Sequence, residues 1–346
     1  MEMTEIKKIV SESPEYSFLN NNPNLIDKNG NSTIVLLGMG GSYSYGTNRP
    51  ESDIDVRGVA TNSPISLLTG RDFEQVVDVP TDTTIYSLDK VIKLFCESNP
   101  NTIELLGLKD EHYLVKTKIG EMLLDNKSIF LSQRVIYTFG GYANAQLRRM
   151  ENKASRASTQ EYREENILKS INHAMVDIKT RHPDFGIDAI KLYTDVAMHK
   201  DLNRELYLDV VLNHYPLRDY ANLHSELMAI VKSYNKNNHR NTNAITHDKL
   251  GKHMMHLVRL CLMCFDILER GEIITHREKD LPLLNSIRDG EFLDDDNLPT
   301  REFYDMLDEF DKRFEYAKNN TNLPERVDSD KVMELQFEIN RMVVGS

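Results

Sequence analysis

The stretch "GMGGSYSYGTNRPESDIDVRGV", residues 38–59, decides the fold. It is a glycine-rich turn that follows the apolar, β-branched run "STIVLLG" (32–38) and leads to two aspartates one residue apart. A short apolar run ending in glycine has the pattern of a buried strand. Glycines after such a strand let the backbone turn tightly and approach a ligand closely. Two better-known phosphate loops fail here at their most diagnostic residue. A Rossmann fingerprint from Gly38-x-Gly40 needs a third glycine where Tyr43 stands. A P-loop from Gly41 reaches Gly46 but then needs lysine, and position 47 is threonine.

What remains is Gly41-Ser42, ten intervening residues, then Asp53-x-Asp55. The glycine allows a backbone N–H and the Ser42 hydroxyl to approach a triphosphate at a helix N-terminus. The segment "DIDVRGVAT" (53–61) alternates Ile54, Val56 and Gly58 against Asp53, Asp55 and Arg57. That spacing predicts a half-buried strand over 53–61 with both carboxylates on one face. Paired carboxylates ligate the hard divalent cations that triphosphates carry, an arrangement suited to in-line nucleotidyl transfer.

The stretch "GSYSYGTNRPESDID" resembles the signature of the DNA polymerase β-like nucleotidyltransferase superfamily. With "NPNTIELL" (99–106), "GGYANAQLRRM" (140–150), "KHMMHLVRL" (252–260), "ERGE" (269–272) and "LPE" (323–325), the chain looks like the RNA-ligase-associated nucleotidyltransferases. The resemblance implies an α+β fold, with a small mixed-sheet catalytic domain over 1–128. A larger all-helical domain over 129–346 would complete the nucleotide and acceptor cleft. It also implies a Mg²⁺-dependent enzyme (Mn²⁺ serving as well) with a two-metal site. Such an enzyme moves an NMP from an NTP substrate to a hydroxyl, and the family's association with RNA ligases points to RNA repair or end modification. The alternatives are adenylylation of a protein or small molecule, and an inactive nucleotide-binding module. The superfamily supplies a third carboxylate on a neighbouring strand as metal ligand and base. Asp82, ahead of "TTIYSL" (83–88), matches that place, with Asp78 and Glu74 as rivals. On a helix Lys252, His256 and Arg259 fall at i, i+4 and i+7, one face. The family resemblance favours that face as the triphosphate contact over a solvated basic stripe. Asp53, Asp55 and Asp82 are thus the expected catalytic and metal residues; Gly41, Ser42, Lys252, His256 and Arg259 are the expected nucleotide contacts.

Outward from these motifs the chain is an ordinary globular sequence. Its 346 residues are 40% hydrophobic and 28% charged, enough for two domains. A net charge of −12 excludes a global electrostatic footprint for nucleic acid. A local basic stretch opening at Gln146, Arg148 and Arg149 could still steer an RNA acceptor. The cysteines Cys96, Cys261 and Cys264 make no disulfide framework, and Cys261 with Cys264 in "LCLMCF" reads as core. The N-terminal "MEMTEIKKIVSESPEYSF" lacks an apolar signal core and no run is long enough to span a membrane, so a cytoplasmic protein is expected. Apolar stripes at three- and four-residue spacing predict helices over 88–98, 132–154, 161–182 and 246–272, the last capped by Thr246 and stopped by Gly271. The segments 235–243 and 319–330 read as loops.

Overall fold

The computed structural model describes residues 2–71, 73–141, 143, 147, 150, 190–196, 204–217, 219–225, 228, 248–295 and 297–345. Strands β1 (Ile34–Met39), β2 (Val56–Ala60), β3 (Gln75–Asp78), β4 (Thr83–Ser87) and β5 (Tyr113–Lys116) form one sheet in the order β3-β4-β2-β1-β5. β1 runs antiparallel to β2 and β5, β3 antiparallel to β4, and β2 parallel to β4. The class is α+β, as the motif implies.

β1 is buried along its whole length because it is sandwiched between two cores. Ile34, Leu37 and Met39 join Ile6 and Val10 of helix α1 (Met3–Glu12) on one side. Val35 and Leu36 enter the other core, an exception to strand alternation that coincides with the register shift between Ile34 and Leu36. From the end of β1 the chain passes through Gly40 directly into α2 (Gly41–Tyr45), which Gly46 closes at a φ of +83°. The helix expected at 88–98 is α3 (Leu88–Cys96), with Ser87 as N-cap and Leu88, Val91, Ile92 and Phe95 buried at i, i+3, i+4 and i+7. α4 (Lys118–Asp125) follows β5.

The helix expected at 246–272 is α5 (Asp248–Arg270). Gly271 ends it at a φ of +67°, its N–H donating to the Ile267 carbonyl; Thr246 lies outside the described residues. Buried residues encircle α5, so it is a central helix rather than a surface one. α6 (Leu281–Asp289), α7 (Arg301–Asn320) and α8 (Ser329–Val344) complete the helical C-terminal part, so the loop expected at 319–330 is only its middle. The helix expected over 161–182 lies outside the described residues; of 132–154 the structure describes 132–141, 143, 147 and 150, with 134–141 helical.

The compact units do not follow a division at residue 128. One compact unit comprises Met1–Leu147, Lys252–Glu291 and Arg301–Ser346, and the other Arg148–Gly251 with Phe292–Thr300. The physical reason is the core on the α3 side of the sheet. There Leu260, Met263, Cys264, Ile267 and Leu268 of α5, Ala317 of α7, and Val332, Leu335 and Ile339 of α8 pack with Leu36 and Phe95. The second unit is not all helix either. Ile190–Val196 and Arg204–Val210 pair antiparallel as β6 and β7, with Tyr193 opposite Tyr207 and their rings stacked 5.9 Å apart.

Candidate active site

Parallel pairing sets the geometry of the carboxylates. Val56 opposes Thr83, so the residues just before β2 and β4, Asp55 and Asp82, stand side by side at the same edge of the sheet. The ladder reaches them, for the Val56 N–H donates to the Asp82 carbonyl at 3.4 Å. The strand expected over 53–61 begins only at Val56, and both aspartates of the motif lie in its extended lead-in. Asp53 is exposed and Asp55 half-buried, so the two do not share one environment. Among the described residues no three His, Cys, Asp or Glu side chains converge as a ready-made metal site. The structure joins Asp55 to Asp82, while exposed Asp53 is near enough for its charge to act on Asp55.

The rivals for the third carboxylate are otherwise employed. Asp78 accepts from the Thr81 N–H at 3.1 Å and the Thr81 hydroxyl at 2.8 Å, capping the turn before β4. Glu74 pairs with Lys90 at 3.1 Å. Asp82 itself has a left-handed φ of +41°, a conformation that aspartate tolerates in tight turns.

The glycine turn rests on Asp55. The Gly40 N–H donates to the Asp55 carbonyl at 2.8 Å. Gly41 has a φ of +55°, and a β-carbon there would stand 1.6 Å from Asp55 Oδ2. No other residue fits while that carboxylate keeps its place. Gly40 is the N-cap of α2, so Ser42 is not the cap but sits half-buried in the first turn. The Ser42 carbonyl accepts from the Thr47 N–H at 2.9 Å, and the Ser44 hydroxyl from within the turn donates to the Gly41 carbonyl at 2.7 Å.

Arg57 is a site residue that the sequence reading left as part of a strand pattern. Its guanidinium reaches Asp82 Oδ1 at 3.1 Å and donates to the Val56 carbonyl at 2.9 Å and to the Asp82 carbonyl. The available signal was its position two residues after Asp55, which on a strand means the same face. Burial, then the hydrogen bond to Asp82 and its negative charge, push the Asp55 carboxyl up to about 7, with Arg57 opposing. Asp82 moves the other way. Partial burial works against its ionisation, but the hydrogen bond from Asp55 and the Arg57 guanidinium outweigh it and hold Asp82 below the usual carboxylate range. The pair therefore keeps one proton, held on Asp55.

α5 meets the far end of the turn. Arg259 is 6% exposed and stacks over the Tyr45 ring, 3.6 Å from its centroid. It also stands 3.7 Å from Glu104, a second charged residue that the sequence reading passed over within "NPNTIELL". Arg259 is thus engaged inside the protein, between Tyr45 and Glu104. His256, one turn earlier, is pushed down to about 3 by burial and then by the charges of Arg259, Lys252, His253 and Arg288. It is a neutral ring at physiological pH. Lys252 is exposed. Cys264 is buried and Cys261 partly so, both thiols pushed well up by burial, consistent with core packing. Gln146, Arg148 and Arg149 lie outside the described residues.

Residues 19–175 match the family model of RlaP, described as the RNA repair pathway DNA polymerase beta family. Over that segment, a little under half of the chain, the sequence is similar to polymerase β-like nucleotidyltransferases. No curated protein and no solved structure matches the chain. The matched segment contains the glycine turn, Asp53, Asp55, Asp82 and Glu104, whereas Lys252, His256 and Arg259 lie beyond it. Among the described residues no helix is long and apolar enough to cross a membrane.

Two outcomes follow from this geometry. Gly41→Ala should cost ~2–4 kcal/mol, combining a left-handed non-glycine residue with displacement of the Asp55 carboxylate. In a double-mutant cycle, Asp55→Ala should recover at least ~1 kcal/mol of that cost; additive denaturation midpoints would show that the two do not touch. The second concerns pH in metal-free protein. Because Asp55 titrates higher folded than unfolded, its contribution is full at acid pH and is lost as pH rises towards and through about 7. Asp82, shifted downward, acts only below about pH 4. Between pH 5 and 8 wild type should therefore lose roughly 1–2 kcal/mol relative to Asp55→Asn, less than full linkage because the carboxyl is partly solvated. Parallel melting-temperature profiles for the two proteins would contradict this.

Proposed function

We propose that the protein transfers a nucleoside monophosphate from an NTP to a hydroxyl acceptor on RNA. The observation that carries the reading is that Asp55, paired with Asp82, lies directly against Gly41 of the turn. A carboxylate pair in which half-buried Asp55 is held protonated by burial and by its neighbour Asp82, despite Arg57, offers an all-oxygen donor set that fits a hard divalent cation such as Mg²⁺ or Mn²⁺. Asp55 and Asp82 would hold it, with exposed Asp53 available from the same lead-in. When bound, such ions supply activation of the attacking hydroxyl and neutralisation of the leaving pyrophosphate.

The chain's own residues divide the remaining work. The first-turn amides of α2 have no intrahelical acceptor, and with the Ser42 hydroxyl they are the donors for triphosphate oxygens. Arg57 keeps Asp82 ionised, so Asp82 is the carboxylate that takes the proton of the acceptor hydroxyl. Exposed Lys252 of α5 supplies a cation for the outer phosphates, and neutral His256 a hydrogen bond. RNA as acceptor is supported by the description of the matched family.

The test is transfer of α-labelled NTP to RNA bearing defined 3′ and 5′ ends, with Mg²⁺ or Mn²⁺. Asp55→Asn and Asp82→Asn should each lower transfer by roughly a hundred- to a thousand-fold while the fold persists by circular dichroism. Undiminished transfer by the double variant would end the reading. Label delivered to protein and not to RNA would overturn the acceptor.

A further inference from the structure

Tyr45, Glu104 and Arg259 come from three distant parts of the chain and are 4%, 5% and 6% exposed. The Tyr45 hydroxyl donates to Glu104 Oε2. Arg259 Nη1 lies 3.7 Å from the same oxygen, while the guanidinium covers the Tyr45 ring. Its other contacts are sparse. Nη1 reaches the Met263 sulfur at 3.3 Å, and among the described residues the buried Nε has no hydrogen-bond partner. A guanidinium can donate five hydrogen bonds, so this is a poorly satisfied buried charge. Burial raises Glu104, against Arg259, the Tyr45 hydrogen bond and Arg57, in that order. Such a pair is a weak source of stability, since apolar residues of similar volume often serve as well. Its arrangement calls for another account.

The position of the cluster supplies one. Tyr45 is the last residue of α2, and its carbonyl accepts from the Arg277 N–H at 3.1 Å. The next residue, Gly46, packs against the His276 ring so closely that a β-carbon would stand 2.5 Å from it. The Glu104 carbonyl accepts from the Thr275 hydroxyl at 2.6 Å, tying the same cluster to the segment after α5. The short α2 is therefore held at its Gly41 end by Asp55 and at its Tyr45 end by Glu104 and Arg259.

We infer that Tyr45, Glu104 and Arg259 are positioning residues that set the glycine turn against the Asp55–Asp82 pair, and that Arg259 is not itself a phosphate ligand. The inference rests on the nucleotidyl-transfer reading above. In-line transfer depends on alignment of the reacting atoms, and a misplacement of ~1 Å can cost about a hundredfold in rate. The flat guanidinium face and the phenolic hydroxyl supply that alignment from behind the turn.

The variants are Arg259→Lys, which keeps the charge but loses the flat face, and Tyr45→Phe, which keeps the ring but loses the hydrogen bond. The third is Glu104→Gln with Arg259→Met, which removes both charges and guards against a buried unpaired ion. Steady-state transfer should show kcat reduced about ten- to a hundred-fold, with KM for NTP within about threefold of wild type. Amide hydrogen exchange over residues 43–47 should quicken about tenfold in each. A rise in KM with unchanged kcat would make Arg259 a direct phosphate ligand and overturn the inference. Unchanged kcat and exchange in folded variants would also overturn it, leaving a cluster that only fills the core. Should wild type itself transfer no label, the reading of the reaction fails, and exchange alone decides: unaltered protection of 43–47 refutes the clamp.

Discussion

The Asp55 carboxylate packs against the bare backbone of Gly41, and the rest of the site follows from that contact. The glycine is required for two separate reasons, a left-handed φ and the space that the carboxylate occupies. Because β1 delivers the turn and β2 delivers Asp55, the antiparallel β1–β2 ladder fixes their distance, and the Gly40–Asp55 hydrogen bond extends it by one step. The parallel β2–β4 ladder then brings Asp82 alongside. Backbone hydrogen bonds, which tolerate little drift, thus set the relation between the glycine turn and the carboxylates.

Electrostatics builds on that frame in two layers. At the sheet edge, Arg57 biases a shared proton so that Asp55 holds it and Asp82 stays ionised. Behind the turn, a positive charge on Arg259 lies between an aromatic face and a buried carboxylate. The two layers are linked, for Asp55 contributes to raising the Tyr45 hydroxyl and Arg57 to lowering Glu104. Charges placed this way cost desolvation free energy that surface charges avoid. Their concentration around one short helix marks that helix as the place where geometry matters most.

The sheet and the turn were legible because their determinants are local. An apolar run ending in glycine, and aspartates at a fixed interval, need no knowledge of the rest of the chain. Asp82 was legible only through the family pattern, since Asp78 and Glu74 were equally acidic and their turn-capping and ion-pairing partners emerge only in three dimensions. The face shared by Lys252, His256 and Arg259 was correctly periodic, but periodicity does not say what the face meets. Arg259 meets Glu104, 155 positions earlier in the chain, a carboxylate hidden in an apolar run. The division into units was illegible for the same reason, because α5, α7 and α8 complete a core begun by β1 and α3. In β6 and β7, "IKLYTDV" and "RELYLDV" do alternate, yet the helical pattern around them concealed the pairing.

The central claim is that the Asp55–Asp82 pair holds a proton until a divalent cation replaces it. Isothermal titration with Mn²⁺ and a non-hydrolysable NTP, repeated in buffers of different ionisation enthalpy, counts the protons released on binding. With Asp55 at about 7, release should approach one proton per site near pH 6 and fall towards zero near pH 8.5, and Asp55→Asn should abolish it. Cation binding without proton release at pH 6, or release that survives Asp55→Asn, would contradict the account.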